Sequence, residues 1–438
     1  MVAVIDNHEL AEAMARLDRL TDWERRPRRT MRVGLAPMQD LSARLGDPHR
    51  AFRSVHVAGT KGKGSVSALI EAGLVRAGLI AGRYGSPHVE RVTERVSLEG
   101  RDVDDRTLAW GLARALDVYE AARRERTAAA DATWFDLLTS AAFLIFREAR
   151  VEWAVVEVGL GGRLDSTNVV DGEIAVVTNI GLEHTEILGE TRAAIAREKV
   201  GILKPGAVLV TTLDPDDEAR RVLQARADEL GCAVVRAAYQ PDSTIEETNV
   251  ALAGTVLDQL GQRGVSARSG EPVAARLIDA RTRAAARLIG RMERHDVEVG
   301  WSRVPLVFDG AHVPFNLAAV LADLSRAPDL AAPCIAVVAL AADKDAPGFL
   351  AELSRRASAV VFTDLPSTNR GRPAEDLHAI ACALGLASEV ERDPHEAFRR
   401  GLELTGKAGA WLLVTGSLYL VGELRGEVHQ GGKSRRPD

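Results

Sequence analysis

Apolar positions along this chain follow two rhythms. Short runs, such as Val55-His56-Val57-Ala58 and the stretches 152–158, 173–180 and 207–213, are mostly apolar and read as buried strands. Between them apolar residues recur every three or four places. The helix expected over 65–77 puts Val66, Leu69, Ile70 and Leu74 on one side. Strands alternating with helices predict an α/β fold whose sheet is mostly parallel and covered on both faces. A polar, arginine-rich stretch at 280–303 breaks the rhythm, which restarts at 306–308, 335–338, 360–362 and 412–414. Two domains are expected, over 1–289 and 290–430, with a disordered tail at 431–438. The length agrees, because 438 residues exceed what one core usually holds.

The first strand runs into Gly59-Thr60-Lys61-Gly62-Lys63-Gly64-Ser65 and then a helix. Glycines let backbone N–H groups converge on an anion, the helix N-terminus adds partial positive charge, and a lysine reaches the outer phosphates. The spacing departs from G-x-x-x-x-G-K-[ST]: Val57 stands at the first glycine position, and Gly64 displaces the hydroxyl to Ser65. A glycine-rich turn that merely joins strand to helix is the plainer reading. With the cradle, the first domain is expected to be a P-loop, doubly wound, mostly parallel sheet. The second is expected to be a smaller Rossmann-like α/β domain.

Composition narrows the partners. Hydrophobic residues at 46% suffice for sizeable cores, and a net charge of −6 argues against nucleic acid. A site for anionic substrates must then be locally basic. No apolar run is long enough to span a membrane, and the N-terminal residues lack the pattern of a signal peptide. Cys232, Cys334 and Cys382 fit no metal spacing and read as buried free thiols of a cytoplasmic protein.

In open parallel sheets ligands sit beyond the carboxyl ends of the strands. Ser86, Glu157 and His184 each follow or end an expected strand, so all three can reach the cradle opening. A hydroxyl, a carboxylate and an imidazole beside a triphosphate can hold magnesium, which needs few protein ligands when phosphates supply the rest. Singly, each is more simply a surface or packing residue. Gly159, Gly161 and Gly162 do not make a dinucleotide fingerprint, because Leu164 occupies its third glycine position.

Taken together, the chain resembles the folylpolyglutamate synthase/dihydrofolate synthase family of the Mur-ligase superfamily. The markers are GTKGKGS (59–65), SPHVERVTERV (86–96), EVGLGGRLDSTN (157–168), GLEHTEILGET (181–191), REKVGILKPG (197–206), DGAH (309–312), DKD (343–345) and GSLYLVGE (416–423). The resemblance implies an ATP-dependent amide ligase that adds L-glutamate to a pteroate or folate carboxyl through an acyl phosphate. It implies ATP contacts from Gly59, Thr60, Gly62, Lys63, Gly64, Ser65, Asn249, Arg291 and Asp309. It implies magnesium on Ser86, Glu157 and His184, two metal sites in all, with room for a monovalent cation. Lys199 matches a lysine the family carbamylates, and Lys63, Lys199 and His312 carry the catalytic roles. Thr133, Trp134, Phe135 and Asp136, with Leu164, Asp165 and Ser166, match the pterin-side segments, and Ser417 with His312 lies near the glutamate pocket.

Arg91, Arg95 and Arg163 are candidates for the local positive charge. A monomer is expected, with closure of the second domain over the first to shield the acyl phosphate from water. The chain departs from the family's pattern at Val313, where an asparagine is usual, at Asp136 for glutamate, at Gly85 for threonine, and over residues 30–33. These departures bear on the acceptor more than on the reaction. A muramyl ligase, a P-loop kinase or GTPase, and a silent nucleotide-binding regulator are the alternatives. The first usually carries a UDP-binding domain ahead of its cradle, and the second leaves DGAH, DKD and GSLYLVGE unexplained. The intact Lys63, Glu157, His184 and Lys199 weigh against the third.

Overall fold

The computed structural model describes residues 8–23, 34–299, 302–365 and 370–431. The segment 30–33 and all but the first residue of the expected tail lie outside them; Gly431 ends the helix Leu418–Gly431. Contacts divide the chain into two compact units, Met1–Arg287 and Leu288–Asp438.

Unit 1 is built on eight strands: β1 Arg53–Ala58, β2 Ala81–Tyr84, β3 Val96–Leu98, β4 Arg101–Asp102, β5 Trp153–Glu157, β6 Gly172–Val177, β7 Val208–Thr211 and β8 Ala233–Arg236. Their order is β4-β3-β2-β5-β1-β6-β7-β8. From β2 to β8 every neighbouring pair is parallel. β1 lies between β5 and β6, with Val57 opposite both Glu157 and Val176. The chain leaves β1 for β2 on one side and later fills β6 to β8 on the other. The carboxyl end of β1 is thus a topological switch point, the usual place for a ligand in an open α/β sheet.

One face of the sheet is covered by a core around Trp134, Phe143 and Phe146, from the helix Trp134–Glu148. A second core gathers Ile195, Leu209 and Leu223. The antiparallel edge β3–β4 was not foreseen. Its strands are too short to show alternation, and its two-residue turn places Glu99 and Gly100 at φ +51° and +77°. Both central residues at positive φ define a turn whose twist suits a hairpin.

Unit 2 holds β9 Glu293–Val299, β10 Ser302–Phe308, β11 Cys334–Val338, β12 Ala357–Phe362, β13 Ser388–Val390 and β14 Trp411–Thr415. Their order is β13-β12-β11-β14-β10-β9, parallel except for the β9–β10 pair. The arginine-rich stretch therefore contains a strand. β9 is an edge strand whose backbone pairs with β10 while its charged side chains stay partly in solvent, a pattern that hides it from hydrophobic periodicity. Cys232 and Cys334 are buried free thiols, but Cys382 is exposed on the helix Ala374–Ala383, so the expectation of three buried thiols is corrected.

Candidate active site

The cradle is fixed by the residues just after β6. Gly59 sits at φ +149°, and a Cβ there would meet the Thr178 hydroxyl at 1.8 Å, so only glycine fits. Thr178 donates through its hydroxyl to the Lys61 carbonyl at 2.6 Å. The Asn179 side chain accepts from the Lys61 N–H at 2.9 Å and donates to the Lys61 carbonyl at 3.1 Å. The Thr60 hydroxyl accepts from the Gly181 N–H at 2.9 Å. Gly62, at φ +82°, starts the helix Lys63–Arg76 without a side-chain cap. The first intrahelical bond is donated by Val66, which leaves the N–H groups of Lys63, Gly64 and Ser65 at the open end for an anion. Asn249, on the helix Ile245–Gln262, brings its Oδ1 within 3.0 Å of where a Gly62 Cβ would lie. A residue far along the chain thus borders the cradle.

Two lysines converge on one backbone oxygen. Lys63 donates to the Gly59 carbonyl at 3.2 Å and Lys199 to the same carbonyl at 2.8 Å. Lys199 is buried near the end of the helix Arg192–Val200. Burial first, then the nearby charge of Lys63, pulls its amine down to about 7, against an opposing pull from Glu183. The neighbouring Lys61 is neutralised by Glu183 at 2.9 Å. Gly59, Lys63, Glu183 and Lys199, with Thr60, Gly159, Gly161 and His184, line one cleft. His184 takes φ +55°, a left-handed conformation uncommon for a non-glycine residue.

The glycine run after β5 serves packing: a Cβ on Gly162 would press against the carbonyls of Glu198 and Lys199 at 2.8 Å. The absence of side chains there lets the helix bearing Lys199 approach. Asp165 braces the same loop by accepting from the Leu160 N–H at 2.8 Å and from the Thr167 N–H at 3.0 Å.

Ser86 and Glu157 are brought together. The Ser86 N–H donates to Glu157 Oε2 at 3.4 Å, and Glu157 is buried at the end of β5. His184, in the loop after β6, lines the cradle cleft with Gly59, Lys63 and Lys199. A carboxylate and a hydroxyl are hard oxygen donors, and two or three such groups suit magnesium when phosphates complete the sphere. Among the described residues no cluster of three or more His, Cys, Asp and Glu side chains is poised for a metal. The donor set fits a cation whose remaining ligands are phosphate oxygens.

The residues matched to the pterin side gather at the start of the helix Trp134–Glu148 and in the loop after β5. Thr133 and Asp136 cap the helix Trp134–Glu148 reciprocally, and the Ser166 hydroxyl donates to Asp136 at 2.6 Å. Trp134 is interior: its indole N–H donates to Asp18 at 3.0 Å and the Arg95 guanidinium stacks on its ring. Asp165 is buried in the loop it braces. Trp134 and Asp165 are buried, while Thr133, Phe135, Leu164 and Ser166 are half-buried.

The three arginines that are candidates for local positive charge each have a partner. Arg91 pairs with Asp105, Arg163 with Glu198, and Arg95 is buried and donates to His88. Lys61, Thr178, Asn179 and Glu183 were not singled out from sequence. The polar pair Thr178-Asn179 directly after an apolar strand was the available signal.

In unit 2 the carboxyl ends of β10 and β14 gather the second set. Asp309 accepts from the N–H groups of Met292 at 2.9 Å and Ala311 at 2.8 Å. His312 Nδ1 lies 2.8 Å from the Gly310 carbonyl, which makes that nitrogen the protonated donor. The Gly416 N–H donates to the Ala311 carbonyl at 2.8 Å, tying 309–312 to the segment of Ser417. Arg291 approaches Gly310. Val313 is the N-cap of the helix Pro314–Leu324 and offers it no side-chain bond.

Residues 57–257 match the Mur ligase middle domain. The dihydrofolate synthase/folylpolyglutamate synthase of Bacillus subtilis is 40% identical over 199 residues, 45% of this chain and 46% of that one. The match thus spans less than half of that relative's length. The folylpolyglutamate synthase of Lacticaseibacillus casei is 28% identical over 415 residues, 89% of this chain and 93% of that one. Mycobacterium tuberculosis folylpolyglutamate synthase complexed with ADP superposes with a TM-score of 0.80 at 26% identity, covering 98% of this chain and 100% of that one. E. coli FolC in complex with DHPP and ADP gives 0.79 at 28%, covering 97% and 98%.

A switch-point phosphate cradle with a buried lysine beside it, followed by a second α/β unit, is the build of a Mur-type ligase. Within that class the chain is similar, over most of its length, to folylpolyglutamate synthases.

Proposed function

We propose that this chain uses ATP to join L-glutamate to the carboxyl group of dihydropteroate or a reduced folate. The observation that carries the reading is the convergence of Lys63 and Lys199 on the Gly59 carbonyl at the end of β1. The relatives' ligands agree with it: one solved structure holds DHPP and ADP, another Mn, AMPPNP and L-glutamate.

The acceptor carboxylate attacks the γ-phosphorus of ATP. An O–P bond forms, the bond to ADP breaks, and an acyl phosphate results. Lys63 and the open N–H groups of the helix Lys63–Arg76 offset the charge on the phosphoryl oxygens. The neutral amine of glutamate then attacks the acyl carbon and loses a proton, and phosphate leaves as the amide forms. Ser86, Glu157 and His184 would hold magnesium, which lends positive charge to the phosphates. CO₂ combines only with an unprotonated amine. Lys199, drawn down to about 7, supplies that form near neutral pH, and a carbamate there would turn a cation into an anion beside the metal.

Asn249, Arg291 and Asp309 are assigned to ATP, and His312 and Ser417 to the glutamate side. Thr133, Phe135, Leu164 and Ser166 are assigned to the pterin side. A cytoplasmic monomer completes the reading, and sedimentation tests the monomer. The deciding experiment is ATP turnover with magnesium and L-glutamate, with dihydropteroate and tetrahydrofolate as parallel acceptors and product mass recorded. A gain of one glutamate on dihydropteroate defines a dihydrofolate synthase, on tetrahydrofolate a tail-extending synthase, and on both a bifunctional enzyme. Gain on neither sinks the proposal.

A further inference from the structure

β2 and β5 run side by side, with Tyr84 opposite Val156. One step on, Gly85 comes beside Glu157, and Arg83, two places back, shares their face of the sheet. A Cβ on Gly85 would lie 3.0 Å from Arg83 Nη1 and 3.2 Å from Glu157 Oε2. The guanidinium and the carboxylate flank one small space, open because residue 85 has no side chain.

Arg83 is buried, and its Nε donates to Glu71 at 3.0 Å. Glu71 is itself buried on the helix begun by the cradle, and it also accepts from the Ser97 hydroxyl at 2.6 Å and the Gly100 N–H at 3.2 Å. With three donors on it, Glu71 has little freedom to turn. A buried ion pair is costly to keep, and a well-packed apolar pair would fill the space as well. Neither Glu71 nor Arg83 lies in a motif that the reaction accounts for.

We propose that Arg83 is a positioning residue: anchored by Glu71, its guanidinium lies across the Gly85 space from Glu157 and biases the direction of that carboxylate toward the nucleotide's cation. The inference rests on reading Glu157 as a metal ligand. It also accounts for Gly85, since a side chain there would wedge the two groups apart.

The test is Mn²⁺ binding to enzyme saturated with AMPPNP, read by the electron paramagnetic resonance of free Mn²⁺. Arg83→Met is expected to weaken Mn²⁺ binding about tenfold, the scale for losing a group that orients a ligand. Its circular dichroism and its metal-free AMPPNP affinity should be unchanged. Gly85→Ala should weaken Mn²⁺ likewise while leaving the Glu71–Arg83 pair in place. Ser97→Ala, which removes a different bond to Glu71, should lower the thermal midpoint and spare Mn²⁺ affinity. Wild-type Mn²⁺ affinity in folded Arg83→Met overturns the proposal, as does equal weakening by Ser97→Ala. Should Arg83→Met fail to fold, Gly85→Ala decides, and wild-type affinity there overturns it. Glu157→Gln is measured alongside. If it binds Mn²⁺ as tightly as wild type, the metal reading of Glu157 fails instead.

Discussion

Gly59 carries more of the site than any other residue: its φ admits the Thr178 hydroxyl and its carbonyl holds two lysines. Gly59→Ala is expected to cost about 3 kcal/mol or more in urea unfolding, because strain and overlap both act there. Lys199→Ala should stay folded and lose ATP turnover by about a hundredfold or more, the scale for removing a charge from a phosphoryl-transfer site. Partial rescue by a short carboxylate would support the carbamate, and an unimpaired variant would sink it.

The same lysine sets a pH dependence. Its amine titrates at about 7 in the fold against 10.5 in the open chain. Between those values the unfolded chain binds the extra proton, so stability rises with pH across that window. Lys199→Met should abolish this rise in denaturation curves recorded from about pH 7 to about pH 10, the span between the two values.

At the scale of elements, the strands that bear the site were legible because they are apolar throughout, and β1, β5, β6 and β7 each fall within or beside an expected run. The cradle was legible because it needs glycine and lysine in a small space. What escaped was held by partners distant in sequence. β9 is charged, and its side chains pair with residues far along the chain, Glu293 with Arg425 and Arg294 with Asp329, while β3 and β4 are too short to show a period. The burial of Trp134 depends on Asp18 and Arg95, which nothing local announces. Thr133 and Asp136 form a capping box, and a capping box and a binding motif draw on the same side chains. Thr133→Ala is accordingly expected to cost about 1 kcal/mol of stability. A loss confined to acceptor affinity would show that the threonine serves the ligand alone.

At the scale of the whole molecule, two units with separate cores make a single unfolding transition the exception. Calorimetry should give a van't Hoff enthalpy below the calorimetric one. A pH signature belongs to unit 2. Burial lowers the His395 imidazole, but hydrogen bonds with Glu427 and Glu423 outweigh it and hold the group above its usual value. These contacts join the helix Pro394–Ala408 to Leu418–Gly431. A raised imidazole stabilises fully below about pH 6.5, the usual open-chain value, and the benefit fades as pH rises past the folded value. His395→Gln should flatten that decline in the thermal midpoint of unit 2, and an unchanged slope would refute the assignment.

The exposed thiol of Cys382 gives the chain a built-in point of attachment. Cys232 is buried, and burial lifts the Cys334 thiol to about 12, so neither competes for a spin label at neutral pH. With paramagnetic Mn²⁺ beside the cradle, the unmodified sequence becomes its own ruler. The dipolar broadening of a nitroxide on Cys382 would read the span between the two units, with and without glutamate.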